Sequence, residues 1–184
     1  IIIKWSGEDS QGVKMRTLGQ IKRMLEKSEA GYFWRMKREI KELPKIIGDN
    51  EVITYAILGY YENYIWLIVS TNKRIIFLNK GIFFKLAEFE IPLNKIVSIN
   101  YKKNLLFGEI EILWNRIKIV RITNIFVKRI NPFEKAVNKA KEKFEKARLI
   151  SAVDELIKLK YLLDQRAITP KEFEKKKKEL LDED

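Results

Sequence analysis

The sequence YIWLIVSTNKRIIFL, residues 64–78, contains two apolar runs that a short polar segment separates. Both runs are rich in β-branched and aromatic residues, a composition typical of β-strands, and they predict strands over 64–70 and 74–78. Thr71-Asn72-Lys73 between them is short enough to reverse the chain directly. A connection of this length joins antiparallel neighbours, so the segment predicts a β-hairpin.

The same pattern extends on both sides of this hairpin, from about residue 51 to residue 130. Short β-branched and aromatic runs alternate there with turn residues, and they predict five further strands, over 52–58, 83–91, 96–102, 108–114 and 116–122. Asn79-Lys80-Gly81 and Trp114-Asn115-Arg116 make tight connections, and Pro92 interrupts the run before residue 96. Seven short strands with short loops predict a small antiparallel sandwich or open barrel in meander order.

A helix start signal follows the last predicted strand at Asn131-Pro132-Phe133-Glu134. Asn is a favoured N-cap, Pro suits the first helical position, and Glu completes the capping arrangement. Beyond this signal, apolar residues recur at helical spacing on one face: Phe133, Val137, Ala140, Phe144 and Ala147. Such a stripe needs to be covered, so we expect this helix to cap the strands in an α+β fold.

Three strings in this region resemble the bacterial branch of the pleckstrin homology (PH) domains. They are residues 66–77 with a Thr-x-x-Arg hairpin, residues 91–99 with an Ile-Pro start, and residues 108–112. The resemblance implies a PH-like seven-stranded sheet capped by a C-terminal helix. It also implies self-assembly, because bacterial PH-like domains tend to form rings.

The resemblance does not extend to a lipid-headgroup site. Eukaryotic lipid-binding PH domains carry several Lys and Arg in the first hairpin, where these residues bind phosphates through charge-assisted hydrogen bonds. The corresponding loop here, residues 59–63, is acidic and aromatic. We interpret Thr71 and Arg74 as residues that fix the hairpin, and Trp66 and Trp114 as packing residues.

Two further helices are predicted at the C-terminal end. Ser151 can cap the first, which ends near Gln165 and has Val153, Leu156, Leu159 and Leu163 at helical spacing. The second begins at Thr169-Pro170-Lys171-Glu172, in which Thr is the N-cap, Pro is the first helical residue and Glu closes a capping box. The short turn between them predicts a helical hairpin.

This hairpin resembles the SHOCT (short C-terminal) domain of bacterial and phage proteins, through Asp154-Glu155-Leu156, Leu162-Leu163-Asp164, Ile168-Thr169 and Glu172-Phe173. The family usually has Gly near Arg166, where a non-Gly residue at positive φ costs about 1 kcal/mol. The resemblance implies an accessory module for oligomerisation or partner contact, without catalytic residues. The candidate interface residues are Leu156, Leu159, Leu163, Phe173 and Leu180. The alternative is that these residues only close the hairpin on itself.

The N-terminal third predicts helices that need a partner surface. Thr17-Leu18-Gly19-Gln20 can cap a first helix, and a second run places Phe33, Ile40, Leu43 and Ile47 on one face. These helices could pack on the strands, on the C-terminal hairpin or on another copy of the chain. We divide the sequence into an N-terminal linker with helices (1–40), a PH-like domain (41–148) and a SHOCT hairpin (150–181).

The composition leaves little for catalysis to use. The chain of 184 residues has no Cys and no His, so thiolate nucleophiles, the usual zinc ligands and the usual general base at neutral pH are absent. It also has no glycine-rich phosphate loop. We predict a protein that is not an enzyme and has no cofactor or metal. No apolar run approaches the roughly 18 residues of a membrane span, and we expect a cytoplasmic location without an anchor before Ile1.

The formal net charge of +12 calls for a comparison of two anionic partners, nucleic acid and membrane. The excess is spread along the chain, and acidic neighbours balance the lysines at 175–178, as on a solvated helix face. The candidate basic surface on the late strands comprises Lys102, Lys103, Arg116, Lys118, Arg121, Lys128 and Arg129. We predict a bacterial or phage protein that acts through association, chiefly as a homo-oligomer. Peripheral binding to anionic membrane and non-specific nucleic-acid binding are the alternatives.

Overall fold

The computed structural model describes residues 16–26, 36–81 and 86–181. Its centre is a sheet of seven strands in the order β4-β3-β2-β1-β7-β6-β5. The strands are β1 (Ile53–Tyr61), β2 (Tyr64–Thr71), β3 (Arg74–Asn79), β4 (Ala87–Pro92), β5 (Ile96–Lys103), β6 (Phe107–Trp114) and β7 (Lys118–Phe126). All pairings are antiparallel, and β4 and β5 form the two edges, so the sheet is not closed. The predicted α+β fold with seven antiparallel strands is confirmed.

Strands β2 and β3 form the hairpin that residues 64–78 predict. Ile68 lies opposite Phe77, and Thr71 Oγ1 accepts the N–H groups of Lys73 and Arg74 at 3.0 Å each. The last six residues of β2 are all buried, because both faces of the strand are covered. This double burial explains why the strand reads as a continuous apolar run without a polar alternation.

Helix α3 (Val127–Asp164) covers one face of the sheet. Its buried residues are Ile130, Phe133, Val137 and Ala140. The prediction of a C-terminal capping helix is confirmed, but the predicted N-cap at Asn131 is wrong, because the helix begins directly after β7. Ile130 extends the apolar spacing by one turn, and its burial favours the earlier start. Pro132 then lies inside the helix, where it removes one backbone hydrogen bond.

The same helix continues without interruption through Ser151. The prediction that Ser151 caps a separate helix is therefore wrong. No Gly or Pro lies between Pro132 and Pro170, so no residue in this stretch breaks the helix strongly. The helix ends at Asp164 with Gln165 as its C-cap, as the sequence predicts. The domain boundary near residue 149 stays a prediction.

Helix α4 (Pro170–Leu181) packs against α3 and completes the predicted hairpin. Thr169 N donates to Glu172 Oε2 at 2.8 Å, and Glu172 N donates to Thr169 Oγ1 at 3.2 Å, which confirms the capping box. The hydrogen bonds from the Thr169 backbone N–H and hydroxyl lower the pKa of Glu172. Arg166 in the turn has a φ of 58°, the left-handed conformation expected where SHOCT sequences have Gly.

Helices α1 (Leu18–Glu26) and α2 (Lys37–Ile46) cover the other face of β1, β2 and β3. Their buried apolar residues are Ile21, Leu25, Ile40 and Leu43. Thr17 and Gln20 cap α1 reciprocally, with N–H to side-chain distances of 2.8 and 3.2 Å. Of the three predicted partners for these helices, the structure shows the strands. Phe33 and the predicted linker before residue 16 lie outside the described residues.

Three strand boundaries differ from the predictions by three residues or more. Strand β1 extends to Tyr61, so the predicted loop 59–63 shortens to Glu62-Asn63. Both turn residues have positive φ, 48° and 67°, as in the two-residue turns that match strand twist. Strand β7 continues to Phe126, beyond the predicted end at 122. Strand β4 is described from Ala87; of the strand predicted over 83–91, residues 83–85 lie outside the described residues.

Candidate interaction surfaces

An ion pair with a buried carboxylate lies beside the β2–β3 turn and explains the Thr-x-x-Arg string. Arg74 Nε and Nη2 each donate to Glu51, at 2.9 Å. Thr71 Oγ1 donates to the same carboxylate at 2.8 Å, and Gly48 N donates at 3.2 Å. Only 2% of Glu51 is exposed. Hydrogen bonds to this carboxylate therefore connect the segment before β1 with the turn between β2 and β3.

The ionisation of this pair follows from its contacts. Burial acts to raise the pKa of Glu51, but the hydrogen bonds from Arg74, Thr71 and Gly48 outweigh burial and hold the pKa below its ordinary value. The hydrogen bond to Glu51 raises the pKa of Arg74. Arg74 also pairs with Glu90. Thr71 and Arg74 thus fix the hairpin, as predicted, and the residue that the sequence analysis missed is their partner Glu51.

The β5–β6 hairpin ends in an exposed segment, residues 104–107, which we call the apolar tip. Asn104 N donates to the carbonyl of Phe107 at 2.8 Å and closes the turn. Leu105 is 93% exposed and Leu106 is 66% exposed. Val127 N, at the start of α3, donates to the carbonyl of Leu106 at 3.1 Å, so the tip lies beside the first turn of α3. No pattern in the sequence marked these leucines as functional residues.

Three of the seven predicted basic residues lie near the apolar tip: Lys102, Lys103 and Lys128. Lys102 and Lys103 end β5 directly before the tip, and Lys128 is in the first turn of α3. Lys103 Nζ contacts Asn131 Oδ1 of that helix at 2.5 Å. Lys102 is paired with Glu109 at 3.4 Å, but 82% of its side chain is exposed. The tip thus combines exposed leucines with neighbouring positive charges.

The other four predicted basic residues are Arg116, Lys118, Arg121 and Arg129. Arg116 lies in the β6–β7 turn and Lys118 begins β7, at the end of β6 away from the apolar tip. Arg121 pairs with Glu111 at 2.8 Å, and Arg129 donates to Tyr55 Oη at 3.3 Å. Two of these four residues thus contact other side chains of the same chain, and Arg116 and Lys118 lie at the far end of the β6–β7 hairpin. The use of the seven residues as one basic surface stays a prediction.

The five predicted interface residues lie on the helices of the C-terminal hairpin. All are half-buried: Leu156, Leu159, Leu163, Phe173 and Leu180. Leu159 and Leu180 line a shallow groove between α3 and α4. Half-burial is expected of residues that pack between α3 and α4. Their positions therefore agree with the alternative, that these residues only close the hairpin on itself. Their use in a contact with another molecule stays a prediction.

Exposed apolar side chains also run along α3 beside the side that meets α4, and we call them the outward row. Its members are Leu149, Ile150, Val153, Ile157 and Tyr161, which are 61, 55, 53, 63 and 63% exposed. Residues three and four positions apart share one face of a helix, so these five lie together. Leu149, the first member of the row, also lines a groove with Leu180 and Leu181 of α4. A signal was present in the sequence, because an apolar residue recurs every fourth position from 149 to 161. That spacing alone does not show which side of the helix α4 covers.

Within residues 16–26, 36–81 and 86–181, no group of three or more acidic side chains is placed to hold a metal ion. Among the helices described, none is both long and apolar enough to cross a bilayer.

Comparison with known proteins concerns the sheet and the first part of α3. The model of the bacterial PH domain family matches residues 47–139, just over half of the chain. A pleckstrin homology domain from Shewanella amazonensis has 21% identity over 57% of this chain and 96% of its own, with a TM-score of 0.43. A protein with such a domain from Shewanella loihica has 22% identity over 55% and 91%, with a TM-score of 0.42.

Among curated proteins, none matches this chain. The family match ends before the C-terminal hairpin, so the resemblance to SHOCT stays a prediction. The matched residues include all seven strands and the start of α3, with its buried residues Ile130, Phe133 and Val137. The chain belongs to the bacterial PH domain family.

Proposed function

We propose that this protein is an association module that binds further copies of itself through the outward row of α3. PH-like domains are generally non-enzymatic modules and often mediate protein or lipid interactions. The observation that carries the proposal is the outward row, five apolar side chains that are each more than half exposed.

Association through this row is favourable because it removes exposed apolar surface from water. Complete burial of a large apolar side chain contributes about 1.5–3 kcal/mol, and these five side chains are contiguous on one helix face. Scattered exposed apolar residues are ordinary, whereas a contiguous apolar patch is typical of an interaction site. A second copy brings an identical row, so both copies would remove apolar surface from water.

Light scattering coupled to size-exclusion chromatography tests this proposal on the whole chain over a range of concentrations. We expect a concentration-dependent oligomer that Ile157→Glu converts to monomer. Ile117→Glu is the matched control, because Ile117 is 84% exposed on the β6–β7 turn, outside the row. A monomer at every concentration, or an equal effect of the two substitutions, would refute the proposal.

A second candidate function is docking on anionic membrane through the apolar tip. The specific observation is Leu105, the most exposed large apolar residue described, next to the lysines of β5 and α3. Leucine side chains can enter the acyl boundary, while each nearby lysine contributes about 1 kcal/mol with anionic headgroups. This site differs from the first hairpin, whose turn is Glu62-Asn63.

Co-sedimentation with phosphatidylcholine vesicles, with and without phosphatidylserine, tests the second candidate. We expect binding only with phosphatidylserine, weakened by salt and by Leu105→Glu, and unchanged by Ile117→Glu. Equal sedimentation of both variants with either vesicle would exclude the tip as the docking site. A salt-dependent shift assay with DNA tests the remaining alternative, non-specific nucleic-acid binding.

A further inference from the structure

We infer that two copies pair through the outward row in an antiparallel arrangement, with Lys146 of each copy facing Asp164 of the other. This inference rests on the proposed function and adds the orientation of the partner. Lys146 precedes the outward row and Asp164 follows it, and both are exposed. They are 18 residues apart, or about five whole turns at 3.6 residues per turn, so they lie on one face of α3.

Lys146, Asp164 and the apolar residues of the row are arranged symmetrically about one point along α3. The midpoint between the two charged residues is also the midpoint between Leu149 and Tyr161 and between Val153 and Ile157. A two-fold axis through this point places Val153 against Ile157 of the second copy, and Leu149 against Tyr161 of the second copy. The interface is then isologous, with the same surface used by both copies.

A parallel arrangement brings identical residues together instead. Lys146 would face Lys146 of the second copy, and Asp164 would face Asp164, so like charges would meet at both ends of the row. The antiparallel arrangement replaces these two repulsions with two attractions. Lys160 already contacts Asp164 within the helix at 2.5 Å, but a carboxylate has two oxygens and can accept from more than one donor.

Disulfide cross-linking tests the orientation, because the chain contains no native Cys. Leu149→Cys and Tyr161→Cys are made as full-length chains with different affinity tags and are mixed with oxidised glutathione. The antiparallel pairing brings these positions together, so the mixture forms a covalent heterodimer. Two Cys at position 149 would be about 18 Å apart along the axis, beyond the roughly 7 Å that a disulfide allows, so neither variant cross-links alone.

The other outcomes overturn the inference and separate it from the proposed function. Covalent homodimers from each single variant would establish a parallel pairing. A chain that light scattering shows to be dimeric but that cross-links in no sample would place the interface elsewhere. A monomeric chain would refute the proposed function itself.

Exchange of the end charges gives an independent measurement. We expect Lys146→Asp alone, or Asp164→Lys alone, to weaken the dimer about tenfold, because each creates two like-charge contacts. The double variant restores opposite charges and should recover the original dissociation constant to within about threefold. A double variant as weak as the two single effects combined would show that these residues do not face each other.

Discussion

Replacement of Glu51 with Gln should lower the free energy of unfolding by about 2–3 kcal/mol at neutral pH. The carboxylate is almost fully buried and accepts hydrogen bonds from Arg74, Thr71 and Gly48. Gln provides one acceptor oxygen, and its amide nitrogen would face groups that are themselves donors. Removal of one partner of a buried ion pair costs about 3–5 kcal/mol. We expect a smaller loss because the Arg74 side chain is 23% exposed and also pairs with Glu90.

Thermal unfolding followed by circular dichroism over a pH series measures this loss. A decrease of 2–3 kcal/mol lowers the Tm of a chain of this size by about 4–12 °C. The pKa of Glu51 is lower in the folded state than its ordinary value of 4.5. The ionised carboxylate therefore contributes stability above pH 4.5, and this contribution is lost as the pH falls through the folded pKa. The difference in Tm between wild type and variant should be largest near neutral pH and should shrink in acid.

Glu90→Gln provides the matched control for this prediction. Glu90 pairs with the same Arg74, but its side chain is 44% exposed, so its loss should cost less than about 1 kcal/mol. Equal losses at positions 51 and 90 would contradict the assignment of stability to the buried carboxylate. A Tm difference that stays constant from neutral to acidic pH would contradict the ionisation argument.

Three further substitutions test other parts of the structure. Phe133→Ala should cost about 3–5 kcal/mol in urea unfolding, because Phe133 is fully buried under the sheet; a loss below about 1 kcal/mol would show that α3 is not part of the core. Arg166→Gly should stabilise the hairpin by about 0.5–1 kcal/mol, because Gly adopts the positive φ without strain. The backbone amides of α4 should then exchange their hydrogens more slowly, and an unchanged hydrogen-exchange rate would contradict this. Phe173→Ala should speed amide hydrogen exchange in α4, because Phe173 is half-buried in the hairpin, and should leave the oligomer seen by light scattering intact. Loss of the oligomer with unchanged exchange would instead place the interface on the side where α3 and α4 meet.

The hairpin over 64–78 could be predicted because its signals are local, namely two strand-forming runs and a short polar turn. The start of α3 could not be predicted in this way. Asn131-Pro132 is a strong local signal for a later start, whereas the burial of Ile130 that favours the earlier start depends on strands distant in sequence. Glu51 and Arg74 are 23 positions apart, and no local pattern marks them as partners.

The candidate interface shows the same limit. Leu156 and Ile157 are adjacent apolar residues, yet one is half-buried in the hairpin and the other is 63% exposed. Helical spacing shows that α3 has apolar residues on more than one side, but only the position of α4 decides which side stays in contact with water. The sequence prediction therefore chose the side on which the two helices meet.

Because α3 is unbroken, the number of residues in it determines the direction in which the outward row points relative to the sheet. Each residue inserted after the buried part of the helix and before Lys146 turns everything beyond it by about 100° and moves it by about 1.5 Å. One added residue would thus rotate the outward row a quarter turn or more around the axis relative to the sheet. Seven added residues would return it to within about 20° of its original direction, about 10 Å further out. Length variation in this helix should therefore be tolerated when it adds close to a whole number of turns, such as about seven or about eleven residues, and not one residue at a time.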